Sequence, residues 1–385
     1  MSLRSYLDHN ASAPLRPEAR RAMIAWLEEQ GGNASSVHTE GRASRARLED
    51  ARRTIAASIG GQAGGLIFTG SATEANNLAL KGVAQGPMAP ERNRVLATGA
   101  AHPSVLEPVR WIHENLRDME GEILPVDRHG KVLREALTEA LTERTLALSV
   151  IGANNETGVL ESIEELAHAA HGVGAWLHVD ASQCLGRVAV DVEAWGADLV
   201  TLSAHKAGGP QGIGALWVRE GVQLSPLHHG GHQERNRRGG TEDVLAAIGF
   251  AAAARAALEA LDVERVRQEA LITSLWSSIA NDIPDAVRIA ADVATLPNTL
   301  LTAFPGAEGE TLLIGLDLEG VSASSGSACT AGSLEPSHVL LAMGLEPRVA
   351  GSALRFSVGP ETDAEDIARV CRVLPLVVAR ARGSS

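Results

Sequence analysis

Short apolar runs alternate with helical patterns between about Leu66 and Val218. Most of the runs are continuously apolar rather than alternating in polarity, which is typical of strands covered on both faces. Amphipathic stretches lie between several of them, at Thr73 to Lys81, Pro103 to Met119 and Ser162 to His171. The apolar runs are LIFTG, RVLATG, EILPV, TLALSVI, WLHVDAS, LVTLSA and GALWV. This rhythm predicts an α/β fold with a mostly parallel seven-stranded sheet and right-handed crossovers.

The chain changes character after Val218. A Gly- and His-rich stretch, HHGGHQERNRRGGT, precedes a long Ala-rich helical region to about Leu261, and the remainder mixes helices and strands. A length of 385 residues suits one large and one smaller domain. We predict a large domain of residues 15–260 and a smaller α/β domain formed by residues 1–14 and 261–385.

Charge and cysteine content exclude several classes of function. The net charge of −13 argues against nucleic acid as a direct partner, because phosphate binding needs a basic field. We see no signal-peptide pattern and no apolar run long enough to span a bilayer. Three cysteines without CxxC spacing, Cys184, Cys329 and Cys371, favour a reducing cytoplasm over a disulfide scaffold or a zinc site.

Cys329 lies in the stretch SSGSACTAG, where every neighbour is small or polar. Free cysteines are usually buried in a core, and this stretch cannot form one. Gly326 and Gly332 flank the thiol and permit backbone movement. We therefore predict a mobile loop, at about residues 322–334, that carries a functional thiol.

The first candidate site follows the run LIFTG. In open α/β sheets, ligands bind beyond the carboxyl ends of the strands. Gly70, Ser71 and Thr73 open a helix there with exposed amides and hydroxyls, which suits a phosphate. A plain helix cap and turn explains the same residues.

Asp180 and Lys206 end two further runs, WLHVDAS and LVTLSAHK. A carboxylate is rarely buried without a partner, and a lysine in a pocket can form a Schiff base. Taken singly, Asp180 suits a helix cap or an ion pair, and Lys206 suits the surface. Because both close neighbouring predicted strands, both can face one crevice.

This combination matches the needs of pyridoxal phosphate, which are a lysine for the aldehyde, an acid for the ring nitrogen and an anion site. His102 follows RVLATGAA and is placed to lie over a ring. Asn155 in NNETG and Gln183 in DASQ could donate to the ring's phenolic oxygen. Singly, each of the three also suits a turn or a core; together they favour the cofactor site.

These residues belong to motifs that resemble the group I cysteine desulfurases of the NifS/IscS type, in the class V aminotransferase family of fold-type I pyridoxal-phosphate enzymes. The resemblance runs almost from end to end, and SSGSACT is specific to group I. The matching segments are YLDHNASAP, GNASSVHTEGR, FTGSATEANNLA, NNETG, HVDASQ, SAHK, RRGGT, SSGSACTAGSLEPSHVL and LRFSVG.

The resemblance implies a cofactor site in which Lys206 forms a Schiff base with pyridoxal 5'-phosphate. Asp180 would pair with the pyridinium, His102 would stack on the ring and act as a catalytic proton shuttle, and Asn155 and Gln183 would contact the phenolic oxygen. The phosphate would be held by four further residues, which are Ala72, Thr73, Ser203 and His205.

The resemblance also implies a homodimer, because Thr241 would reach the phosphate of the neighbouring subunit. Arg355 would clamp the substrate carboxylate with its bidentate fork, with Asn155 beside it. The substrate would be L-cysteine and the product L-alanine. Lys206 would remove the Cα proton, and Cys329 would take the sulfur as a persulfide for transfer to an acceptor or iron–sulfur scaffold protein.

Three alternatives to this function are open. A selenocysteine lyase would use the same site. Another pyridoxal-phosphate lyase or an aminotransferase would have no use for Cys329 in a mobile loop. A non-catalytic binding protein of this fold would have lost Lys206 or Cys329. The acceptor also stays open among nitrogenase maturation, general iron–sulfur assembly and tRNA thiolation.

Two departures from the family pattern stand out. Ala207 and Gly208 follow Lys206 where the family often has an aromatic pair, which changes the packing near the cofactor. A cluster of histidines, His228, His229 and His232, raises the question of a metal. No carboxylate or supporting pattern accompanies it, so we predict no metal site.

Overall fold

A computed structural model describes residues 4–29, 31–87, 92–325 and 336–383. The strands are β1 (Ser5–Tyr6), β2 (Leu66–Thr69), β3 (Arg94–Thr98), β4 (Glu120–Leu124), β5 (Thr145–Ile151), β6 (Trp176–Asp180), β7 (Leu199–Ser203), β8 (Gly214–Val218), β9 (Val287–Arg288), β10 (Thr299–Ala303), β11 (Val321–Ser322) and β12 (Ala353–Ser357). Cys329 and most of the predicted loop around it lie outside the described residues.

Twelve α-helices lie in the described residues, and the last of them ends a few residues before the end of the chain. They are α1 (Pro17–Glu28), α2 (Thr39–Ala57), α3 (Ala72–Ala84), α4 (Pro103–Asn115), α5 (Arg134–Ala140), α6 (Ile163–Gly172), α7 (Val244–Glu259), α8 (Leu261–Asp282), α9 (Gly309–Leu318), α10 (His338–Ala342), α11 (Pro347–Ala350) and α12 (Ala364–Ala381).

The seven strands β2 to β8 form the central sheet, in the order β2-β8-β7-β6-β5-β3-β4. The five strands from β7 to β4 run parallel, and β8 is antiparallel to both of its neighbours. All seven apolar runs of the sequence are strands of this sheet. The prediction of a mostly parallel α/β sheet is therefore confirmed.

Helices cover both faces of this sheet, as continuously apolar strands require. Strands β5, β7 and β8 are buried at every position. Apolar side chains of α3 and α4 form one core with the sheet, and those of α2, α6 and α7 form a second core on the other face. Aromatic residues make up only 3% of the chain, so alanine, leucine and valine fill most of these cores.

The predicted helix Pro103 to Met119 is shorter than expected, since α4 ends at Asn115. The Leu116 amide still donates to the carbonyl of Ile112, but Leu116 has left the helical conformation. The Met119 amide then donates to Leu116 across a turn that leads directly into β4. An apolar pattern continues through this turn because Leu116 and Met119 both contact the core.

A separate core joins the two ends of the chain. Leu7 is fully buried in it, among side chains of α8, α9, α12 and β12. Strand β1 pairs with β11, and β12-β10-β9 form an antiparallel sheet. The N-terminal residues thus pack with the last third of the chain, although the exact division into two domains stays a prediction.

No single helix in the described ranges is both long and apolar enough to cross a bilayer. Helices α7 and α8 reach that length and apolarity only when they are taken together, and they meet at a bend of 73°.

A buried ion pair connects α2 to the Gly- and His-rich stretch. The Arg52 guanidinium donates to both carboxylate oxygens of Glu234, at 2.6 and 2.9 Å. Both side chains are almost fully buried, at 3% and 1% exposure. Glu234 also accepts from the Phe68 amide on β2, at 3.0 Å, so the pair reaches the edge of the central sheet.

We predict that Arg52→Met lowers the free energy of unfolding by about 3–5 kcal/mol, because it leaves the Glu234 carboxylate buried and unpaired. The matched control is Arg53→Met, one position along α2, whose partner Asp50 is solvent-exposed. That change should cost less than about 1 kcal/mol. Urea unfolding of the two variants gives the comparison, and equal midpoints would contradict the assignment of a stabilising role to the buried pair.

Candidate active site

Asp180 ends β6 as a buried carboxylate, at 4% exposure. One oxygen accepts from the side-chain amide of Asn76 at 2.8 Å, and the other accepts from the Ser182 amide at 3.0 Å. Within the described ranges, no lysine, arginine or histidine nitrogen lies within 4 Å of this carboxylate. A buried carboxylate with hydrogen bonds but no cation is suited to a ligand that brings a positive charge.

A chain of hydrogen bonds leads from Asp180 to His102. Asn76, on α3, also donates to the Ser104 hydroxyl at 2.8 Å. That hydroxyl lies 2.8 Å from Nδ1 of His102, the residue that caps α4. Because the Ser104 amide donates to the same nitrogen at 3.1 Å, Nδ1 is an acceptor and the ring proton is on Nε2.

The electrostatic surroundings keep His102 neutral. Burial lowers the pKa of its imidazole, and the charges of Lys206 and His338 act in the same direction. The Asp180 carboxylate opposes them without reversing the shift. These couplings also show that His102, Asp180 and Lys206 share one region at the carboxyl edge of the sheet.

Lys206 follows β7, which pairs directly with β6, the strand of Asp180. Its Nζ donates to the main-chain carbonyls of Asn10 and Ala11, at 2.6 and 2.8 Å. The side-chain amide of Gln183 donates to the same Asn10 carbonyl at 3.0 Å. The N-terminal segment therefore lies against the lysine and the glutamine that the sequence predicts for one site.

Asn10 is a residue of the candidate site that the sequence reasoning did not single out. It is buried, and its side chain bonds to Thr299, Asn298 and the carbonyl of Asn155, at 2.9, 3.2 and 3.3 Å. The main-chain amide of Asn10 donates to the Ser357 hydroxyl. Only the motif YLDHNASAP marked this position, and the residue type alone carries no signal of the contacts.

Arg355 lies on β12 and is 1% exposed. Its two terminal nitrogens donate to the Asp8 carboxylate at 2.7 Å and to the Asn155 carbonyl at 2.8 Å. The structure thus brings together Arg355 and Asn155, the two residues predicted to bind substrate. Asp8 was not predicted, and it holds one edge of the guanidinium.

Three of the predicted phosphate residues, Ala72, Thr73 and Ser203, lie at or beside the start of α3. Ser71 caps this helix by accepting from the Glu74 amide, so the amides of Ala72 and Thr73 belong to its first turn. Ser203 pairs with Gly214 across β7 and β8. A Cβ at Gly214 would lie 2.6–2.7 Å from the backbone of Ser71 and Ala72, so only glycine lets this turn sit so close to the sheet.

The fourth predicted phosphate residue, His205, follows β7 and contacts the N-terminal segment. Its Nδ1 lies 3.2 Å from the Ser12 hydroxyl. Burial lowers the pKa of its imidazole to about 4, with Lys206 and Arg187 acting in the same direction. A neutral His205 would meet a phosphate as a hydrogen-bond partner rather than as a charge.

The Gly- and His-rich stretch is attached to the same turn. Glu74 accepts from the Gly70 amide at 2.7 Å and from Arg238 at 2.9 Å. Three successive residues, Glu234 to Asn236, adopt left-handed backbone with φ of 44°, 58° and 65°. Such strain costs about 1 kcal/mol or more per residue and needs support, which the Arg52 pair supplies.

Thr241 is exposed just before α7, and the described chain does not test its predicted reach to a neighbouring subunit. The histidine cluster is dispersed: His228 lies 3.3 Å from Glu74, and His232 bonds to Asn236 at 2.6 Å. Within the described residues, no three His, Cys, Asp or Glu side chains are grouped to hold a metal.

The two described cysteines differ in their surroundings. Cys184 is buried, and burial raises the pKa of its thiol to about 12, which leaves it protonated and unreactive. Cys371 is half-buried in α12. Cys329 lies outside the described residues, and its catalytic role stays a prediction.

Comparisons with known proteins agree with this geometry. The family model for aminotransferase class-V matches residues 5–370. The chain is 40% identical over 377 residues to the cysteine desulfurase IscS of Dictyoglomus turgidum, covering 98% of this chain and 95% of that protein. A solved NifS-like protein superposes with a TM-score of 0.91 at 31% identity, covering 98% and 100%. A structure of SspA in complex with cysteine gives 0.79 at 29% identity, covering 93% and 100%.

We predict acid destabilisation from His178, a buried residue that bonds to the hydroxyls of Ser149 and Thr201. Burial lowers the pKa of its imidazole to about 4, below the ordinary 6.5. Between these values the unfolded chain binds a proton that the folded chain does not. Stability should therefore fall as the pH drops from about 6.5 towards 4, by on the order of 2–3 kcal/mol for this group.

Urea midpoints measured between pH 4 and 7.5 test this expectation. His178→Gln should flatten part of the slope, whereas His168→Gln, at an exposed position on α6, should leave it unchanged. The same slope in all three proteins would show that His178 does not carry the effect.

Proposed function

The chain belongs to the class-V aminotransferase family, and we propose that it is a pyridoxal-phosphate-dependent cysteine desulfurase. It would convert L-cysteine to L-alanine and leave a persulfide on Cys329. The observation that carries the proposal is the buried Asp180 carboxylate, without a cation in the described chain, on the strand beside the one that leads to Lys206. Relatives about 40% identical over nearly the whole chain are named cysteine desulfurases, which supports the reaction type.

The residues present fit pyridoxal phosphate. Asp180 would hold the protonated ring nitrogen, and the amide of Gln183 and the side chain of Asn155 would contact the phenolic oxygen. The phosphate would lie at the first turn of α3, against the residues predicted for it, which are Ala72, Thr73, Ser203 and His205. When bound, the cofactor supplies a ring that delocalises the electron pair left by cleavage of a Cα–H bond.

The chain's own residues would position the substrate and move its protons. Arg355 would bind the substrate carboxylate, and Asp8 would orient the guanidinium that does so. Lys206 Nζ, once released from the cofactor's aldehyde, would accept the Cα proton. The carbonyls of Asn10 and Ala11 hold that nitrogen at the carboxyl edge of the sheet and orient it.

His102 would lie over the ring as a neutral imidazole with its proton on Nε2. Its Nδ1 accepts from the Ser104 amide, so the ring proton, and with it the donor, lies on Nε2. A neutral hydrogen-bond donor does not repel the positively charged ring that Asp180 would hold.

The proposed sulfur transfer balances with the groups named. The Cys329 thiolate attacks the substrate sulfur and forms an S–S bond, while the Cβ–S bond breaks. Its electron pair stays on Cβ, which takes up a proton as alanine forms. The persulfide sulfur then passes to an acceptor or scaffold protein, and the absence of CxxC spacing suits a reducing cytoplasm for these thiols.

Both flanks of the Cys329 segment are attached beside the site, which supports the proposal. Ser324 and Arg355 exchange main-chain hydrogen bonds, at 2.6 and 3.1 Å. On the other side, the Ser337 hydroxyl donates to the buried Glu156 at 2.5 Å.

We also propose that the chain acts as a homodimer, in which Thr241 of each subunit completes the partner's phosphate site. The Gly- and His-rich stretch, which precedes Thr241, supports this role. Its strained backbone is attached through Arg238 and Glu74 to the first turn of α3, where the phosphate would lie. Sedimentation at micromolar concentration would test the dimer, and a monomer with full activity would contradict it.

The lysine assignment can be tested unusually sharply, because the chain has only three lysines, Lys81, Lys131 and Lys206. We predict visible absorbance from cofactor bound to the purified protein, and its complete loss in Lys206→Ala. Borohydride reduction followed by peptide mapping should place the cofactor on Lys206 alone. Lys131→Ala is the matched control and should keep the absorbance; label on either other lysine would refute the assignment.

The thiol assignment is tested by Cys329→Ser. We predict that this variant keeps the visible absorbance but loses at least about 99% of sulfide release from L-cysteine with a reductant, because no thiolate can attack the sulfur. Cys371→Ser should retain wild-type release. Trapping of the persulfide by alkylation and mapping gives a second measurement, and normal sulfide release from the Cys329 variant would remove this residue from the reaction.

A further inference from the structure

A cavity of about 230 Å³ lies beside Lys206 and is distinct from the proposed cofactor residues. It is enclosed by the N-terminal segment, the start of α1 and the loops that follow β6, β7 and β12. Apart from Lys206, none of the residues proposed to hold the cofactor lines it. Its lining includes His9, Arg16, Arg187, Lys206, Ala207 and Gly208.

Arg187 provides a buried cation at this cavity. It is 7% exposed, and burial lowers the pKa of its guanidinium to about 10. Its terminal nitrogens donate to the side-chain oxygen and the main-chain carbonyl of Gln183 and to the carbonyls of His9 and Lys206, the last three at 3.3, 3.0 and 3.2 Å, so Arg187 supplies positive charge at the cavity rather than free hydrogen-bond donors. All these acceptors are neutral, and no carboxylate of the described chain lies within 4 Å of Arg187. The positive charge is therefore not compensated.

Arg16 provides a second cation on the cavity wall. Its Nε donates to the Ala207 carbonyl at 3.0 Å, while its two terminal nitrogens have no hydrogen-bond acceptor in the described chain. Burial lowers the pKa of its guanidinium. The side-chain stem packs on Gly208, where a Cβ would lie 2.6 Å from Cγ of Arg16, so the absence of a side chain there gives the arginine its place.

The remaining polar groups do not neutralise these two cations. The charges of Glu264 and Glu18 act on Arg16, but Glu264 pairs with Arg267 and Glu18 pairs with Arg21, each at 2.8 Å, and Glu361 on the cavity wall is exposed. Nδ1 of His9, a residue 3% exposed, has no hydrogen-bond partner in the described chain. Two guanidinium groups thus line a cavity in which Arg187 has no carboxylate partner in the described chain, and the carboxylates that act on Arg16 are already paired with other arginines.

We propose that this cavity binds a small anion, a carboxylate or a tetrahedral oxyanion, between Arg16 and Arg187. The terminal nitrogens of Arg16 form the planar fork that matches the paired oxygens of both classes, and Arg187 adds a buried positive charge. The volume suits a ligand of a few heavy atoms rather than a cofactor-sized molecule. Because Arg187 also holds the main-chain carbonyl of Lys206, the bound anion shares a wall with the proposed catalytic lysine.

The test uses the cofactor-loaded full chain, so that the proposed phosphate site is already filled. Sodium sulfate and sodium acetate are titrated by calorimetry against sodium chloride of equal ionic strength. We expect saturable binding of sulfate or acetate at a site that depends on Arg16, in addition to any acetate bound at the proposed substrate clamp Arg355, with the two probes distinguishing oxyanion from carboxylate preference. Arg16→Ala should raise the Kd at least about tenfold, the loss expected for one charge-assisted hydrogen bond.

Two further variants keep the test decisive. Arg20→Ala, at an exposed position on the same helix, is the matched control and should bind as the wild type does. Arg16→Lys retains a charge but loses the fork, so its Kd should lie between those of the wild type and Arg16→Ala. Thermal unfolding without added anion checks that each variant folds. An unchanged Kd in Arg16→Ala, or no saturable binding in the wild type, would overturn the proposal.

The outcome is independent of the proposed reaction. If no cofactor binds to the protein, the same titration on the unloaded chain still tests the dependence on Arg16. Loss of anion binding in Arg16→Ala with normal sulfide release would leave the desulfurase proposal intact and support the cavity site.

Discussion

The position of the Lys206 ammonium on two main-chain carbonyls is the contact around which the candidate site is organised. Those carbonyls belong to Asn10 and Ala11, in a segment that the buried Leu7 joins to the last third of the chain. The lysine itself follows β7 of the central sheet. One side chain therefore connects the sheet to the opposite part of the fold, and the chain must close on itself before the site exists.

Neutral hydrogen-bond donors stabilise the negative charge of the buried Asp180 carboxylate. Amide donors from Asn76 and Ser182 keep its carboxylate hydrogen-bonded in a buried position. The same Asn76 passes the network through Ser104 to His102, which fixes the tautomer of the imidazole. Two helix N-termini and a strand end are thereby held in one geometry, which is the preorganisation that a charged ring would require.

The sheet and its strand ends were predictable because continuous apolar runs and the rules of parallel sheets act locally and along one edge. Asp180 and Lys206 could be placed together for that reason. Contacts such as Asn10 with Thr299, or Arg52 with Glu234, were not predictable, since 289 and 182 residues separate the partners and neither pair has a sequence pattern. The helix predicted from Pro103 to Met119 was too long for a related reason. Leu116 and Met119 face the core from the turn after α4, so the apolar pattern of the helix continues beyond its end.

Strand β12 links two functions that the sequence presents as separate motifs. It carries Arg355, and the backbone of that same residue pairs with Ser324, where the described chain approaches the Cys329 segment. Arg355 also bonds to Asp8 and to the carbonyl of Asn155. A shift of this strand would therefore move the proposed carboxylate clamp and the attachment of the sulfur-accepting segment together. Two steps of the proposed reaction, binding of the amino acid and approach of the thiol, thus depend on the position of β12.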